Sequence, residues 1–374
     1  MTYLLRLRNK ATQRGANRAM AFQSVIAVVL LSLLSFVSVM NTSFAHPILV
    51  PRPTQTLTDR LLQTDSVVLA REDPQRPFHY AAVKTLKGDS DVTSIDLFMT
   101  TQVRRRLSLD PELTVLIRRN PNNQEWEALG VANDEYEQVV LRILTFDNVW
   151  TPNETDNPER LHEFASLLGH QDIRLHELAY LEIGRASYTS IREVGADVPL
   201  GKVRAMLVDP LYFEWRGLDI MLLGLSDDEL DQVRVVNEMQ QRQSQSISLN
   251  LAAWTTAYLE VEGTEGLDQV VEWYLRNESR SRDELRSVTR ALSGHANYDP
   301  KWRQPVVEAY REMLKTHPNL APDIAHDLIA WQQWDFSEQL RQLLPELKKT
   351  DPLGVQKVNL YLQRAMMKGR MKPH

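Results

Sequence analysis

The 374-residue sequence contains no cysteine. That excludes a disulfide framework, a thiol nucleophile, an iron–sulfur cluster, a thiolate zinc site and a lipid-modified cysteine anchor. A phosphate-cradling loop is missing as well. The closest stretch, Gly195 to Lys202 (GADVPLGK), has one residue too many between its glycines and no Ser or Thr after Lys202. It therefore cannot hold phosphate as a P-loop does, and reads as a loop before a helix starting near Pro199. There is no G-x-S-x-G elbow, H-E-x-x-H pair, EF-hand loop or G-x-G-x-x-G turn. Positive charge is in deficit, with 43 Lys plus Arg against 49 Asp plus Glu and a formal net charge of −6. Such a balance argues against binding nucleic acid by neutralising phosphates.

Long apolar runs are scarce too, and the one at Ser24–Met40 has a specific setting. The residues before it carry Arg6, Arg8, Lys10, Arg14 and Arg18 and no acid, and Ser43 and Ala45 follow at the −3 and −1 positions of a cleavage site. A basic segment, an apolar segment and a small-residue end make a secretory signal over 1–45. Cleavage after Ala45 is expected to place His46 at the mature N-terminus, with no stable membrane span left. The alternative is retention of the 17-residue run, which reaches the lower length limit of a span, as an anchor. With cleavage, the expected destination is the periplasm or the medium of a Gram-negative-type cell.

After a proline-bearing linker (46–63), residues 64–150 are strand-like. Short apolar runs at 66–70, 78–86, 93–99, 113–117, 125–131 and 137–146 alternate with turn-forming clusters such as Asp110-Pro111 and Asn120–Asn123. This predicts a small antiparallel β sandwich or barrel, although Val140, Ile143 and Leu144 also fit a helix leading out of it. From Asn157 the apolar period becomes 3.6. Asn157-Pro158, Asp299-Pro300 and Asp351-Pro352 set a capping side chain before proline, and Ser226–Glu229 and Ser281–Glu284 match capping boxes. About twelve helices in antiparallel hairpins are expected over 157–367, with a polar tail at 368–374. A long polar loop is expected at Gln240–Ser246 (QQRQSQS). The fold class is thus α+β multidomain, a β module followed by an α-solenoid, and a helical part starting near Pro152 is expected to fold alone.

On period and repeat length, the 157–367 region resembles HEAT or armadillo-type repeats. The opening strand Thr64–Ala70 (TDSVVLA) and Tyr80–Gly88 (YAAVKTLKG) resemble netrin-like small barrels. Netrin-like modules usually carry disulfides, and this chain has none. Neither resemblance brings catalytic residues with it, and no cofactor is implied.

Candidate site residues come from chemistry alone. A mature His46 offers an amine and an imidazole to one metal, a chelate suited to Cu(II), with His79 as the nearest further donor in sequence. His162, His170 and His176 fall in one hairpin, where solvent-facing or capping roles are the competing reading. Arg104, Arg105 and Arg106, with Arg118 and Arg119 a strand later, suit an acidic polymer or lipid headgroup. If their segment is extended, Arg104 and Arg106 share a face. The tryptophans at 254, 273, 331 and 334 sit at helical spacing and are expected in the core. The function expected is a non-enzymatic exported scaffold whose helical surface binds a protein or extended polymer. The alternatives are an envelope hydrolase of glycans, working through paired carboxylates, and a copper-binding protein.

Overall fold

The computed structural model describes residues 55–89 and 91–370. The expected signal segment, His46, the first part of the linker and the end of the tail lie outside the described residues. What remains of the expected linker carries a short helix, α1 (Leu57–Leu62), capped by a Thr56–Asp59 box. Leu61 and Asp59 of this helix are fully buried.

Five strands follow: β1 (Val67–Asp73), β2 (Arg76–Lys87), β3 (Ser94–Phe98), β4 (Thr114–Arg119) and β5 (Trp126–Ala132). They form one antiparallel sheet in the order β3-β2-β1-β4-β5, curled into a half-barrel. Alternation explains why β1 can sit at its centre. Val67 and Leu69 face one way, with Leu116 and Ala132, while Val68 and Ala70 face the other, with Val115, Ile117 and Val131. Pairing of Val68 with Ile117 and Leu69 with Leu116 keeps each set in register. Both faces of β1 are therefore covered, and Val67 to Ala70 are buried without a break.

Two segments within the strand-like region are helices. Thr101–Leu109 forms α2, with Thr100 accepting a hydrogen bond from Val103 N at 3.3 Å. Val103 and Leu107, one turn apart, pack on the inner sheet cluster. The arginines 104–106 accordingly lie on a helix, and the strand alternation expected for them does not apply. Asp134–Thr145 forms α3, buried through Tyr136, Val140 and Ile143, so the helical reading of that run is the one realised.

Twelve α-helices lie between Pro158 and Arg370: α4 (Pro158–Ala165), α5 (Ile173–Gly184), α6 (Tyr188–Val194), α7 (Leu200–Val208), α8 (Arg216–Gly224), α9 (Glu229–Gln245), α10 (Leu251–Val270), α11 (Arg282–Tyr298), α12 (Arg303–Thr316), α13 (Ala321–Ala330), α14 (Ser337–Thr350) and α15 (Pro352–Arg370). Asn157 caps α4 ahead of its proline, and the Ser281–Glu284 box caps α11. Ser226–Glu229 is not a capping box. Asp228 caps α9, because Ser226 Oγ donates instead to Asp231 Oδ2 at 2.6 Å. Trp254 and Trp331 are buried, and Trp273 and Trp334 pack partly buried against the core.

The expected loop at Gln240–Ser246 is a second correction, since α9 runs to Gln245 and Ser246 ends it in the left-handed conformation. Glutamine is a good helix former, and the last turn is held from outside. Arg280 donates to the Gln243 carbonyl at 2.8 Å and to Ser246 Oγ at 3.2 Å, satisfying one of the carbonyls that the end of a helix leaves without a partner.

One apolar core runs from the sheet into the helices, joining Val67, Leu69 and Leu116 with Leu161, Phe164 and the residues beyond. Close packing at one crossing depends on glycine. A Cβ on Gly224 of α8 would stand 2.5 Å from Ala257 Cα of α10, a backbone atom that cannot swing aside. Gly224→Val is expected to cost about 1–3 kcal/mol through this overpacking. An unchanged midpoint of thermal unfolding would show that the two helices separate freely.

Candidate functional site

Helix α11 places Arg286, Thr289, Arg290 and Ser293 along one face, because steps of three and four residues return to the same side of a helix. Asp323 and Asp327, one turn apart on α13, face them, and Lys357 closes the third side from α15. These residues line a cleft of about 250 Å³.

The helices around it are fixed by charge. Arg282 donates to Asp351 Oδ2 at 2.9 Å, and Asp351 Oδ1 accepts from Gly354 N at 2.8 Å at the start of α15. The Arg282 guanidinium holds the Asp351 carboxyl below the usual carboxylate range. On the cleft wall, Arg286 Nε donates to Asp323 Oδ1 at 3.1 Å. Behind it, Asp327 accepts from Ser293 Oγ at 2.9 Å and from the Tyr310 hydroxyl at 2.8 Å. Burial pushes the Tyr310 hydroxyl well above its ordinary value, so it stays a donor.

Both carboxylates of the cleft are thus already held. Its remaining charges are not. Arg290 and Lys357 are exposed, and neither has an acidic partner among the described residues. Three cations against two carboxylates leave the cleft with a net positive charge. Its free donors suit an anion, and a carboxylate or phosphate can be held by Arg in a two-pronged geometry. The one hydroxyl held on a carboxylate among its lining residues, Ser293 on Asp327, is buried with its partner.

The residues singled out from sequence are scattered. Arg104 is committed, donating to Glu72 Oε1 at 2.7 Å with its guanidinium 4.6 Å from the Phe78 ring centre. This pairing lowers the Glu72 carboxyl below its usual range. Arg105 and Arg106 remain exposed on α2. Arg118 does not join them, because it is buried on Glu127 and the Arg60 carbonyl. Arg119 turns to the Gln124 carbonyl at 3.2 Å.

His79 lies on β2 with Nδ1 3.2 Å from the Pro77 carbonyl and its ring edge-on to Phe98. The second donor proposed with it, His46, lies outside the described residues. His162 contacts Asp197, His170 Nδ1 accepts from Asp172 N, and buried His176 Nδ1 accepts from Gly169 N. Among the described residues, no group of three His, Asp or Glu side chains is arranged to hold a metal.

Three further strongly perturbed groups are buried in the helical region and do not line the cleft. Asp219 is fully buried, and burial pushes its carboxyl up to about 7, although the Tyr180 hydroxyl donates to it. Burial lowers His176 and His295 to about 4. His295 Nε2 sits 3.1 Å from the Thr256 carbonyl, which fixes that nitrogen as the protonated one. None of the three is exposed to a substrate.

Sequence reading missed the cleft. The spacing of Arg286, Thr289, Arg290 and Ser293 is a legible polar stripe on one helix, but Asp323, Asp327 and Lys357 come from elements far along the chain. Comparison with protein-family models, curated proteins and solved structures finds no match. Among the described residues, no helix is long and apolar enough to cross a membrane.

Proposed function

We propose that this is an exported, non-enzymatic binding protein whose helical region is an α-solenoid, and that the solenoid receives an acidic stretch of a protein partner in the Arg290–Lys357 cleft. The observation that carries this reading is a concave site with two exposed cations and no carboxylate paired to either. The solenoid reading draws support from the packing, in which α7 meets α8, α9 meets α10, α10 meets α11 and α14 meets α15. Contacts between near neighbours in sequence are what a stacked array requires, and stacking leaves a long surface for binding. A glycan hydrolase needs a carboxyl pair open to the substrate. Here Asp323 is spent on Arg286, and Asp327 on Ser293 and Tyr310.

The test uses a fluorescein-labelled peptide of alternating Glu and Ala, followed by fluorescence anisotropy at low salt. Saturable binding is expected, weakened at least about tenfold by the double reversal Arg290→Glu/Lys357→Glu. Reversal of Lys348 and Lys349 on α14, an equal change of net charge, should leave it intact. Equal loss in both variants, or no saturable binding by the parent, would reject the cleft as the site.

A further inference from the structure

Helix α15 is apolar on two opposite faces. Val355, Val358, Tyr361 and Leu362 are buried against the preceding helices. On the other side Leu353, Leu360 and Met367 recur every seven residues and are 78%, 45% and 61% exposed. Seven residues are close to two helical turns, so the three line up as a narrow seam. A helix face that is not packed against the core is ordinarily polar. A seam of this period is what one helix offers to another.

Lys357 connects the seam to the cleft. It lies four residues after Leu353 and three before Leu360, on the flank of the seam, and it lines the cleft with Arg290. Resting on the binding reading above, we infer that seam and cleft form one groove that docks an acidic amphipathic helix of another protein. Its apolar edge lies on Leu353, Leu360 and Met367, and a flanking carboxylate reaches Lys357 and Arg290. Charge decides among the occupants. A second copy of α15 would bring Lys357 and Lys368 against cations of the same sign. An anionic bilayer could meet the seam but cannot enter a cleft of about 250 Å³.

The experiment uses two labelled peptides of about 20 residues and identical composition, Leu, Glu and Ala, long enough to form helix on a surface. One has its leucines at seam spacing with glutamates on both flanks; in the other the leucines are dispersed. The seam peptide is expected to bind about tenfold more tightly, the effect of burying one or two leucine side chains. Leu360→Gln/Met367→Gln should erase that difference. Both positions are exposed, and an unchanged unfolding midpoint would confirm an intact fold. Equal binding of the two peptides, or a difference that survives the glutamine variant, overturns the groove. If the two bind equally and both are lost in Arg290→Glu/Lys357→Glu, the cleft reading stands and only the groove falls. If neither peptide binds, both fall. Tighter binding to phosphatidylglycerol vesicles than to the seam peptide also overturns the groove, as does a dimer abolished by the glutamine variant.

Discussion

Asp59→Ala is expected to destabilise the entire unit by about 3–5 kcal/mol, the scale on which a broken buried ion pair leaves a charge uncompensated. Asp59 is fully buried between two guanidiniums, within 2.9 Å of Arg160 and 3.1 Å of Arg185. Both arginines also donate to Glu182, at 3.0 Å and 3.2 Å. Two carboxylates thus face two guanidiniums, and removing one carboxylate strands a buried positive charge. The same side chain closes the Thr56 box and accepts from Asn153 N at 2.8 Å. These partners hold the Asp59 carboxyl far below its usual range against the opposing effect of burial, which is the largest single influence on it. Urea unfolding measures the loss, and a change under about 1 kcal/mol would show that solvent reaches the site. Replacing all four residues with Leu and Met should cost less than Asp59→Ala alone, since no charge is then left over. The quartet also bears on the independence of the helical region. A chain starting at Pro152 keeps Arg160, Arg185 and Glu182 without Asp59, and it uncovers Leu161 and Phe164, which share the core with β1 and β4. It is expected to show no cooperative thermal transition, so the helices depend on the half-barrel more than their local periodicity suggests.

The second large effect is on pH dependence. Asp219 is raised from 3.8 to about 7 by burial, so its folded state prefers the protonated form. The sign follows from linkage: stability is fully present below pH 3.8, falls as pH rises towards 7, and is then lost. The shift corresponds to roughly 4 kcal/mol. Asp219→Asn keeps an acceptor for the Tyr180 hydroxyl and removes the charge. The variant is expected to match the parent near pH 4 and to exceed it by several kcal/mol at pH 8. Buried His176 and His295 act in the opposite sense. Lowered from 6.5 to about 4, they bind fewer protons folded than unfolded, so each costs roughly 3 kcal/mol as pH falls through that window. Their contribution is the same in variant and parent and cancels in the difference. Urea titrations of both proteins from pH 4 to pH 8 test this, and a difference that does not vary with pH would show that Asp219 is ionised throughout.

Much of the architecture was written locally. A cap acts within one turn, so Asn157 and Ser281 announced α4 and α11 from four residues each. Short apolar runs broken by turn-forming clusters announced the strands, because Gly, Pro, Asn and Asp favour the chain reversals between them. The signals for α2 were equally local, with Thr100 as its cap and Val103 and Leu107 one turn apart. They were obscured by the three arginines between them, which suit an exposed strand or an exposed helix equally well. The same ambiguity hid the end of α9, where glutamines and serines carry no apolar periodicity and the deciding contact is Arg280, more than thirty residues on.

What the sequence determined by itself is therefore the chemistry denied to this protein and the local period of each segment: no thiol, no P-loop, strands first and helices after. What only the tertiary structure decided is which charges are spent and which are free. Arg118, Arg160 and Arg185 resemble Arg290 and Lys357 in sequence, yet the first three are buried on carboxylates and the last two stand open beside a cleft. Charge pairing such as Arg160 with Glu182 and Arg185 with Asp59, 22 and 126 residues apart, has no local signature. It depends on where three or four helices come to rest, and their resting places follow from burial of apolar faces that are nearly interchangeable from one helix to the next.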